Sequence, residues 1–377
     1  MPSQNNLAIF GGSYKTEVLQ EPLWIGYNLN SKIELLCIGN PIVDVFVKID
    51  NSLALKYGIL DPVQHIGRET AEKILREPSI DYANAVKSSG GGAANVAKIA
   101  AMLGMEAAFS GCAGQDELAG IFEKEITEAG VSTVLIKSNE KTGLCFACNV
   151  NGETRFAASP GAALELNETH IEEELIGGVE VVVLDGYILD RRPLVQHILR
   201  LASRRGIPVA LDAASIMQVK SKAEEILTYS RNFPLFIFMN ADESIVFYNT
   251  IRKSREPEIN LTEKEKEAMI LREVCPMLKI ITDGEIFPII VVKLGGRGAV
   301  VVAGGNVYHE ETFTIIPRNT VGAGDAFCAA FIAAWIREKS LSECAALGNK
   351  VAREILEVPG THIKSGKLKS FAKIFQK

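Results

Sequence analysis

One carboxylate in this chain stands where it could take a proton from an attacking hydroxyl. Asp325 follows Asn319-Thr320-Val321-Gly322-Ala323-Gly324 and precedes Ala326 to Ile336, a run that is apolar on nearly every face. Residues 322–336 have helix length, and a helix apolar all round is a buried one. A buried helix that opens on small residues leaves backbone N–H groups unpaired at the positive end of its dipole. Such an end receives a phosphate or a developing anion. An acid there would repel a phosphate already bound, so it fits poorly as a plain cap and well as a general base. The same residues also describe a glycine turn feeding a core helix, with Asp325 as a first-turn acid. The stretch alone weighs the two readings evenly.

Two further sets of residues carry chemistry. Leu35 to Asn40 is a buried strand ending in a turn, and Ile42 to Val47 is a second strand-like run with Asp44 inside it. An acid in an apolar strand costs several kcal/mol unless it is paired or faces a ligand, on the order of the penalty for any buried unpaired charge. Asp44 therefore marks an edge position or a polyol site, and the residues alone favour the edge. Gly90-Gly91-Gly92 leads into a small-residue helix that ends at Gly104. Glycines there let a ligand approach the backbone, and Asn95 in the first turn offers an amide that donates and accepts. Close packing of the loop on a sheet explains those glycines equally well.

The elements that must hold these residues alternate. Strands are expected at 107–111, 133–137, 143–150, 153–156, 181–184, 208–211, 235–239, 289–292 and 299–302, with helices at 68–76, 117–130 and 192–205. Asn151-Gly152 between alternating residues is a strong hairpin signal, so an antiparallel flap is expected on a parallel-sheet body. Polar residues gather just past the strand ends, at Asp185, Asp212, Asn240 to Glu243 and Lys293 to Gly298. Open parallel sheets bind ligands there. The charged stretch 250–268 reads as a solvated insertion or helix without an assigned function.

Composition narrows the class. The net charge of −6 and the pI of about 5.6 argue against a nucleic-acid or anionic-membrane partner. Seven cysteines in mostly apolar runs suggest reduced thiols and a cytoplasmic protein, with Cys145 and Cys148 an isolated CxxC. No run reaches the ~18 apolar residues of a membrane span. The first 34 residues lack the pattern of a signal peptide and are taken as an N-terminal extension. There is no Walker-type G-x-x-x-x-G-K-[ST]. A dinucleotide oxidoreductase would require a fingerprint strand before Gly90, and YANAVKSS makes a poor one.

The ordered set Asn40-Asp44, Gly90-Gly91-Asn95, Asn240-x-x-Glu243, Gly295 to Gly298 and 319–325 resembles the ribokinase-like (PfkB) family of carbohydrate and nucleoside kinases. The resemblance covers roughly residues 35–365. Asn319 to Asp325 is similar to the signature D-T-x-G-A-G-D, and Ser89 to Gly104 to the family's glycine-rich signature. Gly39 to Asp44 and Lys56 to Gln64 look most like the adenosine kinase branch. Thr142 to Cys145 and Gly348 to Ala352 fit that branch and bacterial sugar kinases alike.

The resemblance implies an α/β three-layer sandwich over 35–377: a mostly parallel central sheet with helices on both faces, and a small β lid from segments of about 42–66 and 133–160. It implies ATP and Mg²⁺, and a small-molecule acceptor, a nucleoside (adenosine first) or else a sugar, in a monomer or homodimer. Asp325 would be the base, and Gly322, Ala323 and Gly324 would offer N–H groups to the transferred phosphoryl. Asn40, Asp44, Gly90, Gly91 and Asn95 would hold the acceptor. Asn240 and Glu243 would organise Mg²⁺, directly or through water. Asn240, Gly295, Gly298, Thr320 and Asn349 would line the ATP side, and Arg155 could reach phosphate. Phe46, Ile66, Leu144, Phe146 and Phe156 would give the lid an aromatic and apolar lining, or else form its own small core. One departure matters: Asn319 replaces the usual aspartate, which puts the family's monovalent-cation (potassium) activation in question. A binding protein that had lost catalysis would be expected to lose Asp325 or its glycines, and all are present.

Overall fold

The computed structural model describes residues 32–61, 63–150, 152–253, 261–284, 288–315, 321–357, 371–372 and 374–375. Its strands in chain order are β1 (Leu35–Ile38), β2 (Ile42–Ile49), β3 (Val63–His65), β4 (Val86–Gly90), β5 (Ala107–Ala113), β6 (Ser132–Lys137) and β7 (Gly143–Val150). There follow β8 (Glu153–Ser159), β9 (Val181–Asp185), β10 (Val209–Asp212), β11 (Leu235–Asn240), β12 (Ile289–Lys293), β13 (Ala299–Ala303) and β14 (Asn306–Glu310). A nine-stranded sheet runs β14-β13-β12-β11-β10-β9-β1-β5-β6. It is parallel from β6 to β12, with β13 and β14 antiparallel at one edge.

Near-continuous Val, Ile and Leu runs mark a sheet buried on both faces, and the side chains divide by strand alternation. Leu35, Cys37, Val181, Val183, Phe236 and Phe238 pack on one face with the helices Gly92–Met102, Ala323–Ile336 and Leu341–Leu356. Leu36, Ile38, Val182, Leu184, Ile237 and Met239 pack on the other with Arg192–Arg204, Ile216–Asn232 and Ala241–Arg252. This is the expected three-layer arrangement.

The helix Ala323–Ile336 is buried at every position from Ala326 onward. It lies against the sheet through Phe331 on Phe238, with ring centroids 5.4 Å apart, and Trp335 on Phe236, 5.0 Å apart. Its other side meets Leu341–Leu356, where a Cβ on Gly348 would stand 2.8 Å from the Phe327 ring. Gly348→Ala is therefore expected to destabilise the fold by about 1–3 kcal/mol, the usual cost of overpacking, and to disturb Asp325 one half-turn away. Chemical denaturation and turnover of the variant check both effects.

The small sheet has the order β3-β8-β7-β2-β4. The Asn151-Gly152 hairpin is present in its pairing, since β7 and β8 run antiparallel with Val150 opposite Glu153. Two expectations change. β6 pairs parallel with β5 at the edge of the large sheet, so from 133–160 only the part beginning at Gly143 enters the small one, which gains β4 instead. Strand character is local, whereas the choice of partner is not. Asp44 is also not on an edge, because β2 lies between β4 and β7.

Ile33 and Glu34 are buried, and the Arg337 guanidinium holds both Glu34 oxygens at 2.7 and 3.1 Å, so the folded body includes the last residues of the expected extension. All seven cysteines are buried and free, and Cys145 and Cys148 lie on opposite faces of β7, so they do not act as a pair. Among the described residues no helix is long and apolar enough to cross a membrane. Of the charged stretch, Glu263–Met269 is a helix capped by Thr262.

Candidate active site

The C-terminal ends of the parallel strands set polar residues side by side. Asp185 of β9 is in register with Asp212 of β10, and Asn240 of β11 with Lys293 of β12. The Lys293 ammonium crosses β11 to pair with Asp212 Oδ2 at 2.6 Å. Over this row lies the start of Ala323–Ile336. Gly322 is its N-cap, at φ +79°, without a side-chain cap, and Ala323, Gly324 and Asp325 make its first turn. Ala326 N–H bonds back to Gly322, and the N–H groups before it belong to the unpaired set of a helix start.

The Asn95 amide donates to Asp325 Oδ2 at 2.9 Å. This fixes one carboxylate oxygen and leaves Oδ1 facing Gly92, where a Cβ would come within 3.7 Å. Burial raises the Asp325 carboxyl to about 6, helped by the charges of Asp212 and Asp185 and opposed by Asn95 and Lys293. A base with that value is ionised at neutral pH and accepts a proton more readily than an ordinary carboxylate.

Asn40, Asp44, Gly90, Gly91 and Asn95, the residues expected to hold an acceptor, lie together on the Asp325 side. The Asp44 carboxylate lies directly over Gly90, so a Cβ there would overlap it. Gly91 has φ +94°, and a Cβ on it would strike the Asn40 carbonyl. Both glycines are thus required by close approach. Burial raises Asp44 to about 7, with Lys98 opposing and the charges of Asp325 and Glu125 adding. Asn40 accepts from Arg191 Nη2 at 2.6 Å through Oδ1, which leaves its NH₂ group free to donate. Arg191 also donates to the Ala163 carbonyl. The buried Asp185 carboxylate lies against the turn before Asn40, where a Cβ on Gly39 would stand 2.5 Å from Oδ2. Arg191 thus braces Asn40, with Asp185 packed beside its turn. No role was expected of either, and the only signal was their place after a strand end.

The residues expected on the nucleotide side form two groups. Asn240 and Glu243 close a reciprocal capping box, with Glu243 accepting from the Asn240 N–H and amide, both at 2.8 Å. Burial and the nearby Asp212 charge raise Glu243 to about 7, and Lys293 opposes them. Gly298, at φ +93°, and Asn349, whose amide donates to the Glu310 carbonyl at 3.2 Å, meet at Glu310; Gly295 starts the same turn. Thr320 and Asn319 lie outside the described residues. Arg155 is engaged inside the small sheet, donating to the Ile59 carbonyl at 3.1 Å, which removes it from the phosphate role.

The lining expected of the small sheet divides by strand parity. Ile66, Leu144 and Phe146 are buried in the core behind it. Phe46 and Phe156 share the open face with Asp44 and Cys145. That face reaches the large sheet through His65 of β3, whose ring meets Tyr187, just after β9, edge-on at 5.5 Å. Neither His65 nor Tyr187 carried a sequence signal.

Comparison with known proteins agrees with this geometry. The model of the pfkB family carbohydrate kinases matches residues 55–367. An adenosine kinase of Schizophyllum commune is 24% identical over 356 residues, covering 89% of this chain and 98% of that protein. A 5-dehydro-2-deoxygluconokinase of Bacillus subtilis is 23% identical over 275 residues, covering 71% of this chain and 80% of that protein. The crystal structure of adenosine kinase from Sinorhizobium meliloti superposes with a TM-score of 0.75 at 25% identity, covering 91% of this chain and 99% of that one. With the family model matched across most of its length, the chain belongs to the PfkB carbohydrate kinases, phosphotransferases that act on an alcohol group.

Proposed function

We propose that this enzyme transfers the terminal phosphoryl group of ATP to the primary hydroxyl of a nucleoside, adenosine first, with Asp325 as the general base. The observation that carries the reading is Asp325 held by Asn95 at the uncapped start of a buried helix. Asp325 Oδ takes the hydroxyl proton as the new O–P bond forms and the bond to ADP breaks, leaving its electron pair on ADP. The N–H groups of Gly322, Ala323 and Gly324 receive the charge on the transferred group. Asn40 and Asp44 grip vicinal hydroxyls, and Asp44 is placed for this by Gly90.

Gly298 packs directly on the Glu310 backbone, where any Cβ would collide, and Asn349 donates to the same Glu310 carbonyl, so this turn and Asn349 would together form a wall of the ATP side. No group of three His, Cys, Asp or Glu among the described residues is arranged to hold a metal. Asn240 and Glu243 are spent on each other. Mg²⁺, when bound, would neutralise phosphate charge, with those two residues ordering its waters. Seven free thiols support a cytoplasmic setting.

The nucleoside reading draws on Phe46, Phe156, His65 and Tyr187, aromatic rings around the open face on which a purine can stack. A sugar such as ribose or fructose is the second reading. It is favoured by the sugar-acid kinase among the relatives and by the loss of Ile66, Leu144 and Phe146 to the core. Measuring kcat/KM for adenosine, inosine, ribose and fructose under one set of conditions separates them. Adenosine is expected to lead; a free sugar ahead of every nucleoside would replace the first reading with the second.

A further inference from the structure

We propose that Lys293, held by Asp212, is the cation that faces the transferred phosphoryl group beside the first turn of Ala323–Ile336. The proposal deepens the kinase reading above and rests on it. Lys293 ends β12, and its ammonium reaches across β11 to Asp212, with 15% and 18% of the two side chains exposed at the floor of the site. A Cβ on Gly324 would stand 3.3 Å from that ammonium, so Nζ lies against the helix start itself. A cation gains nothing from the positive end of a helix, where like-signed partial charges meet, and structural lysines belong at the other end. Asp212 takes one hydrogen bond from this ammonium, with the Asp325 and Glu243 charges nearby, so Nζ has further protons to donate to a bound oxygen. The other nearby cations are turned elsewhere: Arg191 to Asn40 and Ala163, Lys98 to the Ser89 carbonyl and hydroxyl. Glycine at 324 lets an anion touch the backbone N–H groups and the ammonium together.

In the transfer, the acceptor oxygen bonds to phosphorus as the bond to ADP breaks, and the hydroxyl proton goes to Asp325. Lys293 keeps its proton and donates a hydrogen bond to an oxygen of the migrating group. Asp212 is a positioning residue, because it acts through Lys293.

The test uses the full chain with Lys293→Met, Lys293→Arg and Asp212→Asn. Lys293→Met is expected to lower kcat by roughly 10²–10³-fold, the loss typical of one donor to a developing charge, with the acceptor KM little changed. Lys293→Arg, which keeps a cation, should recover part of that loss. The acid limb of kcat/KM gives a second readout. Asp325 faces Asp212, Asp185 and Asp44 and the cations Lys293 and Lys98. Loss of Lys293 should move the limb to higher pH, and loss of Asp212 to lower pH.

Calorimetry with AMP-PCP and with AMP gives a third. Lys293→Met should weaken the triphosphate analogue and leave AMP alone. Wild-type kcat in Lys293→Met, or equal losses for the two nucleotides, would overturn the proposal and leave the kinase reading standing. If the wild type transfers phosphoryl to no acceptor, the kinase reading fails, and calorimetry still decides whether Lys293 faces an anion. Should Lys293→Met not fold, Lys293→Arg and Asp212→Asn decide through the shift of the acid limb.

Discussion

Replacing Asp325 by asparagine is expected to leave both substrates bound and to reduce kcat by roughly 10²–10⁴-fold, the range for loss of a general base. Asparagine keeps the shape and a hydrogen-bond acceptor for the Asn95 amide, so the pocket stays closed around the same atoms. What disappears is the capacity to take the proton. In the wild type kcat/KM should fall on the acid side as Asp44, near 7, and Asp325, near 6, take up protons, and in the variant the part of that fall due to Asp325 should vanish.

Stability gives the opposite sign. The folded carboxyl holds its proton up to about 6, against an ordinary value of 3.8, so the native state binds more protons than the unfolded chain between those values. Its charge therefore weighs against the fold above about 6, and this penalty is gone below 4. Asp325→Asn should raise the Tm at about pH 8 and leave it unchanged near pH 4. A variant with wild-type kcat would remove Asp325 from the chemistry.

Gly91→Ala is the second large effect. At φ +94° and ψ 133° an L side chain sits in a sparsely populated region that costs about 1–3 kcal/mol, and the new methyl would also strike the Asn40 carbonyl. Relief has to come from the turn that carries Asn40 or from the start of Gly92–Met102, which carries Asn95. Either shift moves a group that holds the acceptor or the base. Misplacement of about 1 Å can cost around 100-fold in rate, so kcat/KM is expected to fall by at least about that much, with a lower Tm. Gly120→Ala is the control. Gly120 lies in the helix Glu117–Glu128 with nothing near its Cβ position, so the change should hold or slightly raise stability and leave turnover alone. Equal turnover in the two variants would show that the close approach at Gly91 does not position the site.

The parts of the site legible in the sequence were those whose chemistry is local. An all-apolar run after glycines is a buried helix wherever it is placed, and 322–336 matches Ala323–Ile336 with Gly322 as its cap. Strand ends rich in Asp and Asn mark the binding edge of a parallel sheet, and Asp185, Asp212 and Asn240 stand there. What the sequence concealed depends on pairing between distant segments. Strand character at 132–137 does not say that β5 is its partner. Nor does the Asp44 run say that β2 is internal, with one face in the core and the other turned to the site. The same parity sends Phe146 to the core while Phe46 stays on the open face, a division that composition could not reveal. Lys293 looked like the first residue of a glycine loop, because its link to Asp212 crosses an intervening strand.

The central claim is transfer to a primary hydroxyl, and the product tests it most directly. Wild-type protein incubated with Mg-ATP and adenosine, followed by ³¹P NMR, should yield a phosphomonoester coupled to the two protons of one methylene group, with ADP formed in equal amount. Ribose and fructose in parallel tubes extend the test to the sugar reading. ADP and inorganic phosphate without any phosphomonoester, whatever the acceptor, or no consumption of ATP at all, would contradict the account.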